Sequence, residues 1–559
     1  MPLFRKRKKI RSEIQPDEIL IDSANVAELD RDRFEGRIER PLDRNSFVLV
    51  GLLLGVVALL YIGRAFDLQF LNGVAYATQA AENKLAESVV FADRGIITDR
   101  NGKELAFNNR EAITDDFALR QYAAYQGVAH VVGYTKAPAK DTSGFYFRDS
   151  YTGVDGAEQV FNTALSGQNG LRLTETDARG KVVSESLQRA AVPGKKVALS
   201  IDAEVTEGLY QAIADRAEKS GFQGGSGIIM DIHTGEIISL TSYPEYSSAA
   251  VSSGNKDALQ SLLSDKRQPF LDRAITGLYT PGSIVKPIMA LAALNEGVID
   301  EYKQILSTGS ISIPNPYDKT KPSVFRDWKA HGLVDMRHAI AVSSDVYFYE
   351  VGGGFQDQKG IGITKIDQYF KMFGFGAPTG IFGMSEPAGT IPTPEWKEKN
   401  FNGDPWRVGD TYNTSIGQYG VQVTPLQAVR AIAAIANSGK LLVPTLLASS
   451  SPQVAKQINF PEHYFDVVRE GMHMSVEQGT AIAVNLPFIE IGGKTGTAQT
   501  GVRNEFINSW TVGFFPYDNP KYAYVMVLER GPANALVGAT PAMSQFFWWL
   551  NEHAPQYLK

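Results

Sequence analysis

Tyr279-Thr280-Pro281-Gly282-Ser283-Ile284-Val285-Lys286-Pro287-Ile288-Met289-Ala290-Leu291-Ala292-Ala293-Leu294 is a turn that runs into an apolar helix, with a serine and a lysine three residues apart at the junction. Pro281-Gly282 punctuates the chain, and the run after Pro287 has the texture of a helix buried on every side. One helical turn sets Ser283 and Lys286 on the same face. A hydroxyl within reach of an amine, near the positive end of a helix dipole, is what activation of a serine nucleophile requires. Read alone, the stretch also fits an N-cap serine. Ser-x-x-Lys arises about twice by chance in a chain of this length, and Ser253-Gly254-Asn255-Lys256 has the spacing without the surroundings.

Two further stretches give Ser283 its company. Ser343-Ser344-Asp345 precedes Val346-Tyr347-Phe348-Tyr349, and Lys494-Thr495-Gly496 lies between Ile489-Glu490-Ile491 and Thr497-Ala498-Gln499, as if on a strand. For Lys286 to accept a proton near neutral pH, its pKa has to fall from ~10.4 to about 7. Burial beside a second cation does this, and Lys494 is the natural second cation. The Ser343 hydroxyl is suited to relay a proton between either lysine and a reacting amine; a helix cap is the other reading. Gly496 would let a second backbone approach closely.

The 559 residues are enough for three or four units of ordinary domain size. With 43% hydrophobic and 21% charged residues the chain is globular, and a net charge of -6 makes no electrostatic case for a nucleic-acid partner. The absence of cysteine excludes disulfides, a Cys-ligated zinc and a thiol nucleophile.

Phe47 to Ile62 carries no charge, and with Gly63 to Phe66 it approaches the ~20 residues that cross ~30 Å of hydrocarbon. Arg64 would snorkel to the interface. The polar stretch before the run, and Tyr61-Ile62-Gly63-Arg64 after it, argue against a cleaved signal peptide; a buried core helix is the competing reading. Arg5, Lys6, Arg7, Lys8, Lys9 and Arg11, with Arg40 and Arg44, place the amino terminus in the cytoplasm and everything after Phe66 outside it. The expected organisation is a largely disordered tail (1–45), a transmembrane helix (46–66), a stalk and docking region (67–193) and a catalytic domain (194–553).

Leu68 to Ser88 reads as a helical stalk, and Arg94-Gly95-Ile96-Ile97-Thr98-Asp99-Arg100-Asn101-Gly102 as short strand residues entering a hairpin turn. Gly153-Val154-Asp155-Gly156-Ala157-Glu158, through Gly167, Gly170 and Gly180, has the Gly-punctuated texture of a docking module. From Lys195 the pattern predicts a strand at Val197 to Ile201, a helix at Val205 to Lys219 and a hairpin of Gly227 to Ile232 with Glu236 to Thr241. Further helices are expected at Ile284 to Gly297, Met336 to Gly352 and Pro425 to Ser438, and strands at Ile489 to Gln499, Ser509 to Phe515 and Ala523 to Glu529. Late strands joining an early hairpin give an α+β domain on an antiparallel sheet.

With Val346 to Gly354, Ser415-Ile416-Gly417-Gln418, Thr424-Pro425-Leu426-Gln427 and Gly479-Thr480-Ala481, these motifs resemble the class B penicillin-binding proteins over residues ~90 to ~530. The closest subgroup is the elongation-type penicillin-binding protein 2. The resemblance implies a membrane-anchored, elongated β-rich pedestal of the dimerisation type, then a β-lactamase-like transpeptidase domain whose antiparallel sheet is flanked by helices. It implies that Ser283 attacks the penultimate D-Ala carbonyl of a stem peptide, that Lys286 is its base, and that the amine of a neighbouring stem takes up the acyl group. Ser343 would shuttle protons, Lys494 with Thr495 and Thr497 would hold the substrate carboxylate, and Asp345 and Gly496 would complete the substrate-binding set. Backbone N–H groups of Ser283 and Thr497 would form the oxyanion hole.

No metal or organic cofactor is implied, and no nucleic acid. The implied partners are peptidoglycan stem peptides, β-lactams as covalent inhibitors, the cytoplasmic membrane, a SEDS-family glycosyltransferase resembling RodA, and other proteins of the elongation complex. Two departures stand out: Asp345 replaces the Asn found in most of the superfamily, and the pedestal is short between Asn109 and Gly153. A membrane-anchored β-lactam sensor, a non-catalytic scaffold and a D,D-carboxypeptidase are the alternative functions.

Overall fold

The computed structural model describes residues 44–82, 85–109, 116–176, 182–315, 318, 320–535 and 537–559. The expected tail lies outside them up to residue 43. The chain forms two compact units, 1–86 with 175–183, and 87–174 with 184–559.

In the first unit, Arg44–Phe66 is a single helix (α1) of 23 residues that buries none of its side chains. A helix apolar on every face and packed on nothing sheds that surface from water only in lipid. Including its continuation to Leu71 it is 28 residues long, and it is the one helix among the described residues long and apolar enough to cross a membrane. Arg64, in its last turn, pairs with Asp67 at 2.5 Å. The expected stalk helix ends earlier than Ser88: Gly73–Glu82 is helical, but Leu85–Val90 is a strand. Val89-Val90, already in the second unit, is β-branched and suits a strand better than a helix.

The second unit opens on a small sheet. Ile97–Thr98 and Glu104–Asn109 pair antiparallel around the Asp99-Arg100-Asn101-Gly102 turn, in which Asp99 Oδ1 accepts from the N–H groups of Asn101 and Lys103. Arg94, from the same motif, is buried elsewhere. Its guanidinium donates to Glu158 Oε2 at 2.6 Å, to the Asn162 side chain at 3.0 Å and to the Tyr151 carbonyl at 3.2 Å, while Arg120 donates to Glu158 Oε1 at 2.7 Å.

The rest of the unit is built on one sheet: β1 (Gly224–Asp231), β2 (Ile237–Tyr243), β3 (Gly492–Thr500), β4 (Phe506–Phe515) and β5 (Tyr522–Pro532). Its order is β2-β1-β5-β4-β3, antiparallel throughout. Alternation along the strands feeds two cores. Ile228, Val525, Val527 and Val512 face one core, while Ile229, Tyr524, Met526 and Phe515 face the other. Helices α2 (Ala203–Ser220) and α6 (Ala539–His553) close the second core; α3 (Lys286–Asn295), α4 (Asp345–Gly353) and α5 (Pro425–Ala436) close the first. Asp202 caps α2, and Thr424-Pro425-Leu426-Gln427 is the capping box of α5, with proline in its first turn.

One expected helix is two. Met336–Ala341 and α4 are separated at Val342 to Ser344, where Ser343 takes φ +58 and Ser344 accepts from the Tyr347 N–H as the cap of α4. Serine and aspartate side chains compete with the helical backbone for its N–H groups, so three of them in a row start a helix rather than continue one.

Candidate active site

Ser283 sits in a 3-10 turn, Gly282–Val285, that delivers the chain into α3. Backbones crowd it. Gly282 adopts φ +59, and a Cβ there would lie 2.6 Å from the Thr497 carbonyl oxygen; a Cβ on Gly417 would lie 2.2 Å from the Gly282 oxygen. The Gly282 N–H donates to the Gly417 carbonyl at 3.0 Å, and the Gln418 amide donates to the Thr497 carbonyl at 3.2 Å. The loop 415–418 and the middle of β3 therefore close on the nucleophile turn main chain to main chain, which only glycine permits at these points. Gly496 is another such point, because a Cβ on it would meet the Pro281 carbonyl at 2.8 Å.

Lys286 is fully enclosed. Its ammonium donates to Asp345 Oδ1 at 2.6 Å, to the Ser343 carbonyl at 2.8 Å and to Ser343 Oγ at 3.3 Å, which occupies all three of its hydrogens. The expected contact with Ser283 is not among them. Among the described residues, the Ser283 hydroxyl has no hydrogen-bond partner. The positive φ at Ser343 is what turns both its carbonyl and its hydroxyl toward the lysines.

Lys494, also fully enclosed, lies 2.8 Å from Ser343 Oγ and donates to the Thr495 carbonyl at 3.0 Å. No carboxylate pairs with it among the described residues. Burial, then the charge of Lys286, pushes its pKa well below that of an ordinary lysine, with Asp345 pulling the other way. The amine whose pKa is depressed is therefore Lys494. Asp345 stands as counter-ion to Lys286.

A cleft of about 1070 Å³ opens over these groups. Ser283, Ser343, Asp345, Thr495, Gly496 and Thr497 all line it. Lys286 and Lys494 lie beneath its wall, and Lys494 is joined to it through Ser343 Oγ. Thr495 donates to Thr480 at 2.7 Å, which ties the Gly479-Thr480-Ala481 motif to the same wall. Among the described residues there is no cluster of metal-ligating side chains.

The sequence did not point to Asp327. Its enclosed carboxylate accepts from Ser344 Oγ at 2.9 Å, the Val346 N–H at 3.0 Å and Ser307 Oγ at 3.2 Å. Burial raises its pKa, but the Val346 N–H, the Ser344 hydroxyl and the charge of Lys286 outweigh that and hold it below the usual carboxylate range. Asp327 therefore fixes the start of α4 and the loop that carries Ser343. Its only sequence signal is its place at the end of a short β-type run, Ser323–Arg326.

Two family models match the chain: the penicillin binding protein transpeptidase domain over residues 225–547, and the penicillin-binding protein dimerisation domain over residues 113–199. The peptidoglycan D,D-transpeptidase MrdA of Haemophilus influenzae is 31% identical over 478 residues, covering 79% of this chain and 70% of that protein. MrdA of Escherichia coli K12 is 27% identical over 605 residues, covering 88% and 91%. Among solved structures, Pseudomonas aeruginosa PBP2 in complex with WCK 5153 matches at 28% identity and a TM-score of 0.68, over 84% of this chain and 98% of that one. The complex of PBP2 with MreC from Helicobacter pylori matches at 25% identity and a TM-score of 0.69, over 84% and 99%. A chain of a peptidoglycan synthase complex matches at 25% identity and a TM-score of 0.70, over 90% and 97%.

Proposed function

Since the chain belongs to the penicillin-binding protein transpeptidases, we propose that it is a peptidoglycan D,D-transpeptidase working in cell-wall elongation through an acyl-enzyme on Ser283. The observation that carries the reading is an unbonded serine hydroxyl lining a cleft directly over the linked groups Lys286, Ser343 and Lys494.

The donor carbonyl, that of the penultimate D-Ala, would lie between the N–H groups of Ser283 and Thr497, where the developing oxyanion is stabilised. A neutral Lys494 gives the site an amine able to accept a proton. The proton on Lys286 passes through Ser343 Oγ to Lys494, and Lys286 then takes the proton of Ser283 as its oxygen attacks the carbonyl carbon. The C–N bond to the terminal D-Ala breaks, and its amine leaves with a proton from Lys286. The amine of a second stem attacks the acyl carbon, gives its proton to the same pair, and Ser283 Oγ leaves protonated. Thr495 and Thr497 hold the substrate carboxylate, and Asp345 holds Lys286 in place.

Helix α1 would cross the cytoplasmic membrane with the amino terminus inside, as the basic residues before it favour. Residues 67–193 would then form the stalk and shortened pedestal, and 194–553 the transpeptidase domain. The relatives solved with MreC and within a peptidoglycan synthase complex support an elongation assembly for this chain, with a SEDS-family glycosyltransferase resembling RodA as the polymerase.

Fluorescent penicillin should label the wild type and not Ser283→Ala; an unlabelled wild type sinks the acyl-enzyme. Mass spectrometry of products should give dimeric muropeptides. Trimmed monomers alone would make the enzyme a carboxypeptidase, and labelling without either product would make it a sensor.

A further inference from the structure

Arg326, Asp327 and Asp345 are the charged residues lining the cleft. Both carboxylates are engaged, Asp345 by Lys286 and Asp327 by Ser344 and the start of α4. Arg326 is exposed, and among the described residues its guanidinium has neither a hydrogen bond nor an ion pair. Its backbone, by contrast, is pinned. Ser323–Arg326 pairs with Ser310–Ile313, and the Arg326 carbonyl accepts from the Tyr349 hydroxyl at 3.2 Å. Phe325 packs its ring 5.0 Å from Tyr412 and 6.0 Å from Tyr349, so alternation along the strand turns Arg326 to the opposite face. With both lysines buried, the cleft offers a substrate one uncommitted charge, and that charge is positive.

We propose that Arg326 is a specificity residue that pairs with a free carboxylate on a stem peptide, so that the enzyme selects acidic over amidated stems. The proposal rests on the transpeptidase reading above. A guanidinium offers a planar fork of N–H donors that a carboxylate accepts two at a time. An exposed, rigidly mounted arginine loses less freedom on pairing than one on a mobile loop.

The test measures kcat/KM for matched synthetic stem peptides that carry a side-chain carboxylate or the corresponding amide, in purified full-length wild type, R326Q and R326K. One arm varies the donor stem and the other the acceptor stem, so the arms tell which stem carries the recognised group. The wild type should prefer the acidic stem, and R326Q should lower the acidic-to-amide ratio about tenfold, mainly through KM. R326K should restore part of the ratio. Melting temperatures of the variants, compared with the wild type, control for folding. A ratio unchanged by R326Q in both arms, or a wild type indifferent to amidation, overturns the proposal. A wild type that is never acylated by any donor instead defeats the transpeptidase reading on which it rests.

Discussion

Arg94 and Arg120 grip Glu158 much as Lys286 and Lys494 flank Asp345: each cluster holds two basic side chains and one carboxylate, and the basic groups are shut off from water in both. The similarity ends at the protons. Arginine keeps its charge at any working pH, and around Arg94 carbonyl, amide and hydroxyl oxygens take up its N–H donors. That cluster can only hold still. A buried lysine can be stripped of its proton, and Lys494 is pushed toward that state by burial and by Lys286. The choice of residue type, with the charge count held the same, separates a rivet from a site where a proton can move.

The sharpest way to break the comparison is to make the second cluster like the first. Lys286→Arg keeps a cation beside Asp345 but removes the amine that exchanges a proton in the proposed mechanism, so penicillin acylation should fall about a thousandfold or more while the protein still folds. A stopped-flow acylation rate near the wild-type value would end the distinction. Glu158→Gln attacks the other cluster and leaves two guanidinium groups without their carboxylate. Unfolding in urea should show a loss of about 3–5 kcal/mol, with acylation per folded molecule retained. An unchanged midpoint would mean that the carbonyl and amide contacts suffice without Glu158.

A milder test follows the proton itself. In the proposed mechanism acylation needs neutral Lys494, and its lowered pKa makes that form dominant at a lower pH than for a free lysine. The rate should therefore climb about tenfold per pH unit on the acid side and level off well below the ordinary lysine range near ~10.4. A rise that continued to that range would place the ammonium form in the resting site.

The smallest effect sharpens the comparison with a carboxylate that has no ion-pair partner among the described residues. Burial pushes Asp272 up to about 7, with the N–H groups of Ile275 and Ala274 opposing the shift. Its folded pKa is raised, so the folded protein keeps a proton that the unfolded chain loses near ~3.9, and stability is given up as pH rises from there toward 7. Asp272→Asn retains an oxygen acceptor for both N–H groups. Its melting temperature should gain on the wild type by a few degrees between pH 5 and pH 8, on the order of 1 kcal/mol. A gap that stayed constant with pH would remove Asp272 as the titrating group.

What was legible in the sequence is what is local. The strands and helices of the central sheet follow largely from periodicity, as the helix expected at Val205 to Lys219 and found at Ala203–Ser220 illustrates. Ser283, Ser343 and Lys494 could be picked out because each sits in a short motif with a recognisable local setting. What escaped depends on segments far apart in the chain. No period or cap signal links Asp327 to Ser344, 17 residues on, or shows that Gly417 must lie against Gly282. The split at Ser343 was hidden because the apolar pattern continues across it, while the competition from its hydroxyl groups is a matter of geometry. The pairing of Lys286 with Asp345 depends on their positions in three dimensions, which spacing does not supply.

Ser343 holds a left-handed backbone conformation at φ +58 that an L-residue adopts at a cost of roughly 1–2 kcal/mol. Glycine would relieve the cost and lose the hydroxyl that joins the two lysines. A search for thermostable variants that ignored function would thus be drawn to this position, and each gain there would be bought with turnover. Stability and activity compete for one residue, so selection for turnover and selection for robustness pull it in opposite directions.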